Sequence, residues 1–334
     1  RNSSSAASDV YKRQGLSRLN QGLQKSSGAL ARWSLLLIPA VWLLARLLVE
    51  EAWFAQFQLE HLYTQRLVYQ LIGGALSLLL VCVCATWRHH WMRAYVPTPQ
   101  GHIPTLRGST YTLSLLACLI VLLAVLGVST RLAWLAWTDP MHLGHWWSVP
   151  FDPGWPALSL SILLLLLVTL GLTRIRRLSL AFLYGSVCVC LVAARSWALW
   201  ALAIAIPDSG RIESVLGADL SFGLGRFSAL ALAGELSLIL LLLTLSTSLW
   251  TRLTRSPCLS DWGFPGWTSL ERQLLRPAFA LLMLVLAALV WLSRHQLLWT
   301  QSGLLAGAGW VGVHLVLPSV SYTHLRAHET SFHR

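Results

Sequence analysis

FSALALAGELSLILLLLTLSTSLW, residues 227–250, holds a single ionisable side chain, Glu235. A bilayer's hydrocarbon core is about 30 Å thick, and a helix needs about 20 mostly apolar residues to cross it. The stretch is long enough. In lipid its backbone can be satisfied only as a helix or in a closed barrel, and nothing here alternates as a barrel strand does. Similar apolar runs lie near residues 33–49, 67–87, 111–130, 156–173, 178–206 and 277–293. The chain therefore reads as all-α, a polytopic helical membrane bundle of about seven transmembrane helices. The run at 178–206 is too long for one straight crossing, so it should be tilted, kinked or partly interfacial.

Composition agrees. The 334 residues are 55% hydrophobic and 11% charged, far from the roughly 25% charged of a soluble domain. The net charge of +12 comes in short clusters beside apolar runs. That is a membrane pattern, so the expected partner is the lipid bilayer and not nucleic acid.

The basic residues also orient the chain. Arg18, Lys25 and Arg32 precede the first run, and Arg88, Arg93 and Arg107 follow the second. Arg174, Arg176 and Arg177 follow the fourth, and Arg252, Arg255, Arg272 and Arg276 the sixth. The other connections carry only Arg66, Arg131, Arg211, Arg226 and Arg294, 5 against 13. The positive-inside rule puts the N-terminus in the cytoplasm of a bacterial cytoplasmic membrane. The opposite loops are the acidic ones, with Glu50, Glu51, Glu60, Asp139, Asp152, Asp208, Glu213 and Asp219. Trp33, Trp53, Trp87, Trp91, Trp134, Trp137, Trp250 and Trp291 sit near run ends, where aromatic belts form.

Both ends look foreign. Residues 4–14 and 320–330 resemble a matched pair of sequencing-library adapters read in one frame, and each abuts apolar sequence abruptly. Residues 1–14 and 320–334 are therefore set aside as artefact. Residues 15–294 form the transmembrane domain. Residues 295–319 read as an extracytoplasmic or re-entrant segment leading to a missing C-terminal region. The native chain is expected to be a fragment, open at one end or both.

Cys82, Cys84, Cys118, Cys188 and Cys190 lie in apolar runs, and Cys258 lies in a cytoplasmic connection where disulfides are rare. Residues i and i+2 of a helix point to nearly opposite faces, so neither Val-Cys-Val-Cys string makes a metal clip. His142 and His145 are a turn apart but lack further ligands nearby. No histidine falls at mid-depth, which argues against haem. Phosphate loops, nucleophile elbows and zinc-protease motifs are missing from the sequence. The residues leave open whether the chain is an enzyme, with the negative answer favoured, and point to no catalytic group, metal or cofactor.

Two ionisable residues fall within runs, Arg195 and Glu235. Such groups cost several kcal/mol unpaired and face the bundle interior. Counted from the run ends at 1.5 Å per residue, they lie roughly 16 Å and 12 Å deep, so an intramembrane charge pair is expected. It either holds two helices in register or lines a substrate or proton path, and the structural role is favoured. Arg46, near a run end, can snorkel without a partner.

Three stretches resemble an uncharacterised family of bacterial multi-pass membrane proteins of cyanobacteria and actinobacteria. Glu51-Ala52-Trp53-Phe54, then Tyr63, Arg66 and Gln70, is similar to its Glu-x-x-Trp-Phe motif. Asp219-Leu220-Ser221-Phe222 is similar to its Asp-(Ile/Leu)-Ser-Phe-Tyr motif, with Gly223 in place of the Tyr. Arg294-His295-Gln296-Leu297-Leu298-Trp299, through Gly307-Ala308-Gly309-Trp310 to Leu317-Pro318, is similar to a third segment, with Val311-Gly312 in place of Thr-Asp. The resemblance implies a long, polar, exported C-terminal domain beyond this chain. It also implies about seven helices and supplies no established activity. The leading expectation is the membrane-anchoring part of an envelope protein that docks that domain. A transporter or channel using Arg195 and Glu235 comes second, and a membrane enzyme using Asp139, Asp152 and Asp219 third. Oligomeric state is not legible.

Overall fold

The computed structural model describes residues 44–94, 106–138, 175–212, 217–219, 221–254, 258 and 263–296. Isolated positions at 37 and 41–42 and two-residue strands at 301–302 and 305–306 complete it. The crossing read at 156–173 and part of that at 33–49 lie outside the described residues, as do Asp139, His142, His145, Asp152, Gly307, Gly309 and Pro318. The chain divides into two compact units, 1–65 and 66–334.

The first unit is built around a helical hairpin. Helix α1 covers residues 44–56. Gln58 (φ 60°) takes the left-handed conformation that ends helices, and the Leu59 N–H donates back to the Phe54 carbonyl at 3.0 Å. Helix α2, Glu60–Arg93, starts at once. Tyr63 donates its hydroxyl to the Leu47 carbonyl at 3.0 Å, and its ring lies 5.4 Å from that of Phe54. Trp53 packs edge-on to Phe54 and against Phe57, while Glu51 stays exposed. Arg46, read from the sequence as needing no partner, bonds Glu50 one turn on at 3.2 Å and lies over the Trp42 ring.

The second unit is a bundle. It contains α2 from Arg66 onward, α3 (Ser109–Thr138), α4 (Ile175–Arg195), α5 (Trp197–Ala205), a π-helical turn (Phe222–Arg226), α6 (Phe227–Leu253) and α7 (Ser269–Gln296). Among the described residues five helices, α2, α3, α4, α6 and α7, are long and apolar enough to cross a membrane. Their burial is unequal. In its most apolar window α6 is 56% buried, against 17% for α2 and 11% for α7. Helix α6 is thus the hub, packed against α3, α4 and α7, while Leu71, Leu79 and Leu284 of the outer helices stay exposed. Apolar side chains facing outward all round a bundle are what lipid requires and water forbids.

Small residues let the helices close on α6. A Cβ on Gly185 of α4 would lie 2.5 Å from Leu243, and one on Gly234 of α6 would lie 2.7 Å from Leu289 of α7. Leu122, Leu126, Leu178, Val192, Leu232 and Leu240 fill the core between them. The hub also buries Thr244, Ser246, Thr247, Ser248 and Thr251. Their hydroxyls donate to carbonyls of α6 itself, as Thr247 does to Leu243 at 2.7 Å and Ser248 to Thr244 at 2.6 Å. Returning bonds of this kind satisfy a buried hydroxyl without a partner helix.

The long run at 178–206 breaks at Ser196 (φ −78°, ψ 22°), which separates α4 from α5. The Ala193 carbonyl accepts instead from the Trp200 indole at 2.8 Å. Gly73 of α2 packs directly on this point, where a Cβ would meet the Ala193 oxygen at 2.8 Å and the indole nitrogen at 3.1 Å.

At the far end, strands β1 (Leu106–Arg107) and β2 (Gly263–Phe264) pair antiparallel, Leu106 with Phe264 and Arg107 with Gly263. They tie the connection before α3 to that before α7. Buried Tyr111 donates to the Leu253 carbonyl at 2.6 Å, and Trp91 to the Ser248 carbonyl at 3.3 Å. The centre of this end is an ion pair. Arg252 Nε donates to Glu271 Oε1 at 2.7 Å, and the side chains are 2% and 1% exposed. Arg252 also donates toward the Gly266 carbonyl at 3.4 Å and lies over Phe264. Glu271 Oε2 accepts the Thr268 N–H at 2.8 Å while Thr268 Oγ1 accepts the Glu271 N–H at 3.2 Å. That reciprocal exchange is a capping box starting α7. Arg252 is one of the basic residues counted on the connection after the sixth run, and burial in a ring of acceptors makes it a core residue as well.

Candidate functional site

The opposite end gathers the ends of α3, α4 and α7 and the start of α6. Two of the motif segments meet there. Asp219 organises the loop between α5 and α6. Its Oδ1 accepts the Ser221 N–H at 2.8 Å, the Ser209 hydroxyl at 2.8 Å and the Ser209 N–H at 3.1 Å. Its Oδ2 accepts the Gly210 N–H at 3.0 Å. Gly210 (φ 66°) and Gly217 (φ 68°) supply the left-handed turns that let the loop wrap round one carboxylate. Donors from Ser221, then Ser209, hold the Asp219 carboxyl well below the usual carboxylate range. An acid kept ionised and so fully occupied is not a proton donor at neutral pH.

Just after Ser221, the π-helical turn re-aims the chain into α6. Buried Gly225 lets it press on α5, for a Cβ there would meet Ile206 at 2.8 Å and the Leu202 carbonyl at 3.1 Å. Phe222 packs on His295 with ring centroids 4.9 Å apart, and Phe227 and Trp291 complete an aromatic nest around it. His295 is 6% exposed. Its neighbours Phe222 and Phe227 are far away along the chain, so no local sequence pattern marks this burial. Arg294 donates to the Trp291 carbonyl at 3.2 Å and covers the Trp291 ring.

Arg195 is the last residue of α4. Its Nε donates to the Ala136 carbonyl at 3.2 Å and Nη2 to the Trp137 carbonyl at 3.3 Å, with the guanidinium over the Trp137 ring. These are last-turn carbonyls of α3, which lack helical partners and carry the negative end of the helix dipole. Arg195 thus caps α3, level with its end. Glu235 sits half-buried two turns into α6. Arg66 lies over the ring of Trp197, the first residue of α5, at 5.9 Å. Arg226 pairs with Asp208 at 3.1 Å. Among the described residues no group of three metal-ligating side chains forms, and all six cysteines are free.

One prediction follows from Asp219. Its lowered pKa means the loop is stabilised above the ordinary value of 3.8 and loses that support only as pH falls well below it. The protection factors of the Ser209, Gly210 and Ser221 amides should therefore stay constant on acidification from neutral to that value. Asp219→Ala should raise exchange at those three amides severalfold at neutral pH. Unchanged exchange in the variant would show that the glycine turns alone fix the loop.

The structure thus defines a helical bundle whose apolar helices mark a membrane-embedded protein, with motif residues built into the connections at one end. The chain belongs to the uncharacterised protein family UPF0182, which matches residues 28–330, past the boundary at 319 set from the sequence. It is 57% identical over 289 residues to a UPF0182 protein of Synechococcus sp. (strain CC9311), covering 86% of this chain and 31% of that protein. It is 44% identical over 297 residues to one from Prochlorococcus marinus (strain MIT 9303), covering 88% and 31%. It is 38% identical over 289 residues to one from Synechococcus sp. (strain CC9605), covering 85% and 31%. The chain therefore spans about a third of the length of these relatives, 31% in each case. No solved structure matches it.

Proposed function

We propose that this chain is the membrane-anchoring region of a longer protein of the bacterial cytoplasmic envelope, with its N-terminus in the cytoplasm. The observation that carries the reading is the disproportion between chain and relatives. Five membrane-length helices occupy a chain spanning 31% of each relative, which leaves most of the protein elsewhere. The Asp219 end, with its tied loop and aromatic nest, faces outward under the positive-inside rule and presents a shaped platform to the rest of the protein. Reporter fusions test the orientation. A phosphatase fused in the 207–219 loop should be active, and a fluorescent protein fused in the 94–105 connection should glow. The inverse pattern would overturn it. In a full-length relative, deleting the segment matching this chain should release the remainder into the soluble fraction, and retention in the membrane would refute an anchoring role.

The transport reading has one feature in its favour, the break between α4 and α5, since transporters use interrupted helices at their sites. The capping of α3 by Arg195 speaks for a structural role instead. Arg195→Met with Glu235→Met should lower thermal stability in detergent while leaving a full-length relative able to complement a deletion strain. A well-folded double variant that fails to complement would favour transport.

A further inference from the structure

A cavity of about 460 Å³ opens between α2, α4, α5 and α6. That volume is in the usual range for small-molecule sites. Small side chains carve it, with Gly73, Ala193, Ala203, Ala229 and Ala233 along its wall. Its polar side chains other than the rim cation are largely turned inward: Ser77 donates to Gly74, Ser237 to Ala233 and Trp200 to Ala193. Ile72, Leu76, Ile204 and Leu230 on its rim are exposed, so the slot opens sideways onto the apolar face of the bundle.

Arg226 supplies the charge in its lining. It stands where the π-helical turn passes into α6, at the upper end of an apolar helix. Asp208 takes Nη1, and the side chain remains 44% exposed, with further N–H donors in its planar fork. From Arg226 to Ser237 the slot follows α6 for about 16 Å at 1.5 Å per residue. That is half the roughly 30 Å hydrocarbon core, one leaflet deep. A cation at headgroup level above an apolar slot of single-leaflet depth matches one kind of occupant.

We propose that this slot holds an acyl chain of an anionic phospholipid, with the headgroup phosphate on Arg226. The inference rests on the membrane-embedded reading. The chain's methylenes fill what is otherwise a void in a close-packed wall, and the guanidinium fork suits the phosphate oxygens. Asp208 shares the cation, so the site selects for anionic headgroups without binding them irreversibly.

The test uses the full chain reconstituted in phosphatidylcholine vesicles, with a trace of phosphatidylglycerol carrying a diazirine at one acyl terminus. After photolysis, label should concentrate on the slot residues Leu80, Val189 and Leu236, the first half-buried and the other two buried. Ala233→Trp, which fills the slot, should reduce that labelling severalfold. Arg226→Gln should keep labelling but abolish the preference for phosphatidylglycerol over a phosphatidylcholine probe of the same tail. Label no denser in the slot than on the outward-facing Leu79, Leu180 and Leu284 of the wild-type chain would overturn the proposal, whatever the variants do. Equal labelling by the two headgroups in wild type would overturn the role of Arg226. Failure of the chain to float with the vesicles would refute the membrane reading itself.

Discussion

Glu271→Gln should be among the most destabilising single changes in the bundle, costing about 3–5 kcal/mol, because it leaves Arg252 buried without its counter-charge. Gln has one side-chain acceptor where Glu271 uses two, so keeping the Thr268 N–H bond turns its amide NH2 toward Arg252, and the loss reports the charge together with the Arg252 hydrogen bond. The companion Arg252→Met in the Glu271→Gln background should recover most of the stability, since two neutral groups of similar size replace the pair. The readout is the thermal midpoint of the detergent-solubilised chain. A single variant as stable as wild type would mean that water reaches Arg252, against its 2% exposure.

The second large effect is at Gly73. Gly73→Ala places a methyl 2.8 Å from the Ala193 oxygen, a backbone atom that cannot swing away. Either α2 moves off the break or the Trp200 indole loses its acceptor. Overpacking of this kind costs about 1–3 kcal/mol, and the lost bond about 1 kcal/mol more. Gly127 of α3 is the internal control. Nothing lies within 4 Å of its would-be Cβ, so Gly127→Ala should stabilise by up to about 1 kcal/mol through helix propensity. Opposite signs for two helical glycines in one melting experiment would establish the close approach at the break. A neutral Gly73→Ala would remove it.

Much of this architecture is legible in the residues, and the misses have physical causes. Apolar runs at 67–87, 111–130, 227–250 and 277–293 fall inside α2, α3, α6 and α7, because length and apolarity are all a crossing demands. The overlong run at 178–206 does break, but Ser196 is an ordinary helix residue. The break is made by Trp200 taking over a carbonyl and by Gly73 pressing from another helix, and no local signal announces either. The burial of Arg252 is not legible in a count of cations by loop, which says nothing of solvation. The clue was Thr268-Ser269-Leu270-Glu271, a capping box whose acid has a second oxygen to offer. Asp219, Ser221 and Phe222 stood out as motif residues, yet their roles depend on Ser209, Gly210 and His295, distant along the chain. Arg195 stands out for its place in an apolar run, while the Ala136 and Trp137 carbonyls it caps carry no side-chain signature.

The self-bonded hydroxyls of α6 bear on how this protein is made. A segment leaving the ribosome enters the translocon before its neighbours exist, and each polar group it carries must be tolerated alone. Thr244, Thr247 and Ser248 bring their acceptors with them, on the turn below, so they are satisfied at insertion. Arg252 has no such provision, for Glu271 is synthesised nineteen residues later. The half of α6 that carries these hydroxyls can thus enter the bilayer with them satisfied and wait at its Arg252 end. The emergence of α7 would then be the event that locks the bundle, which makes the connection at 254–268 the timing element of assembly.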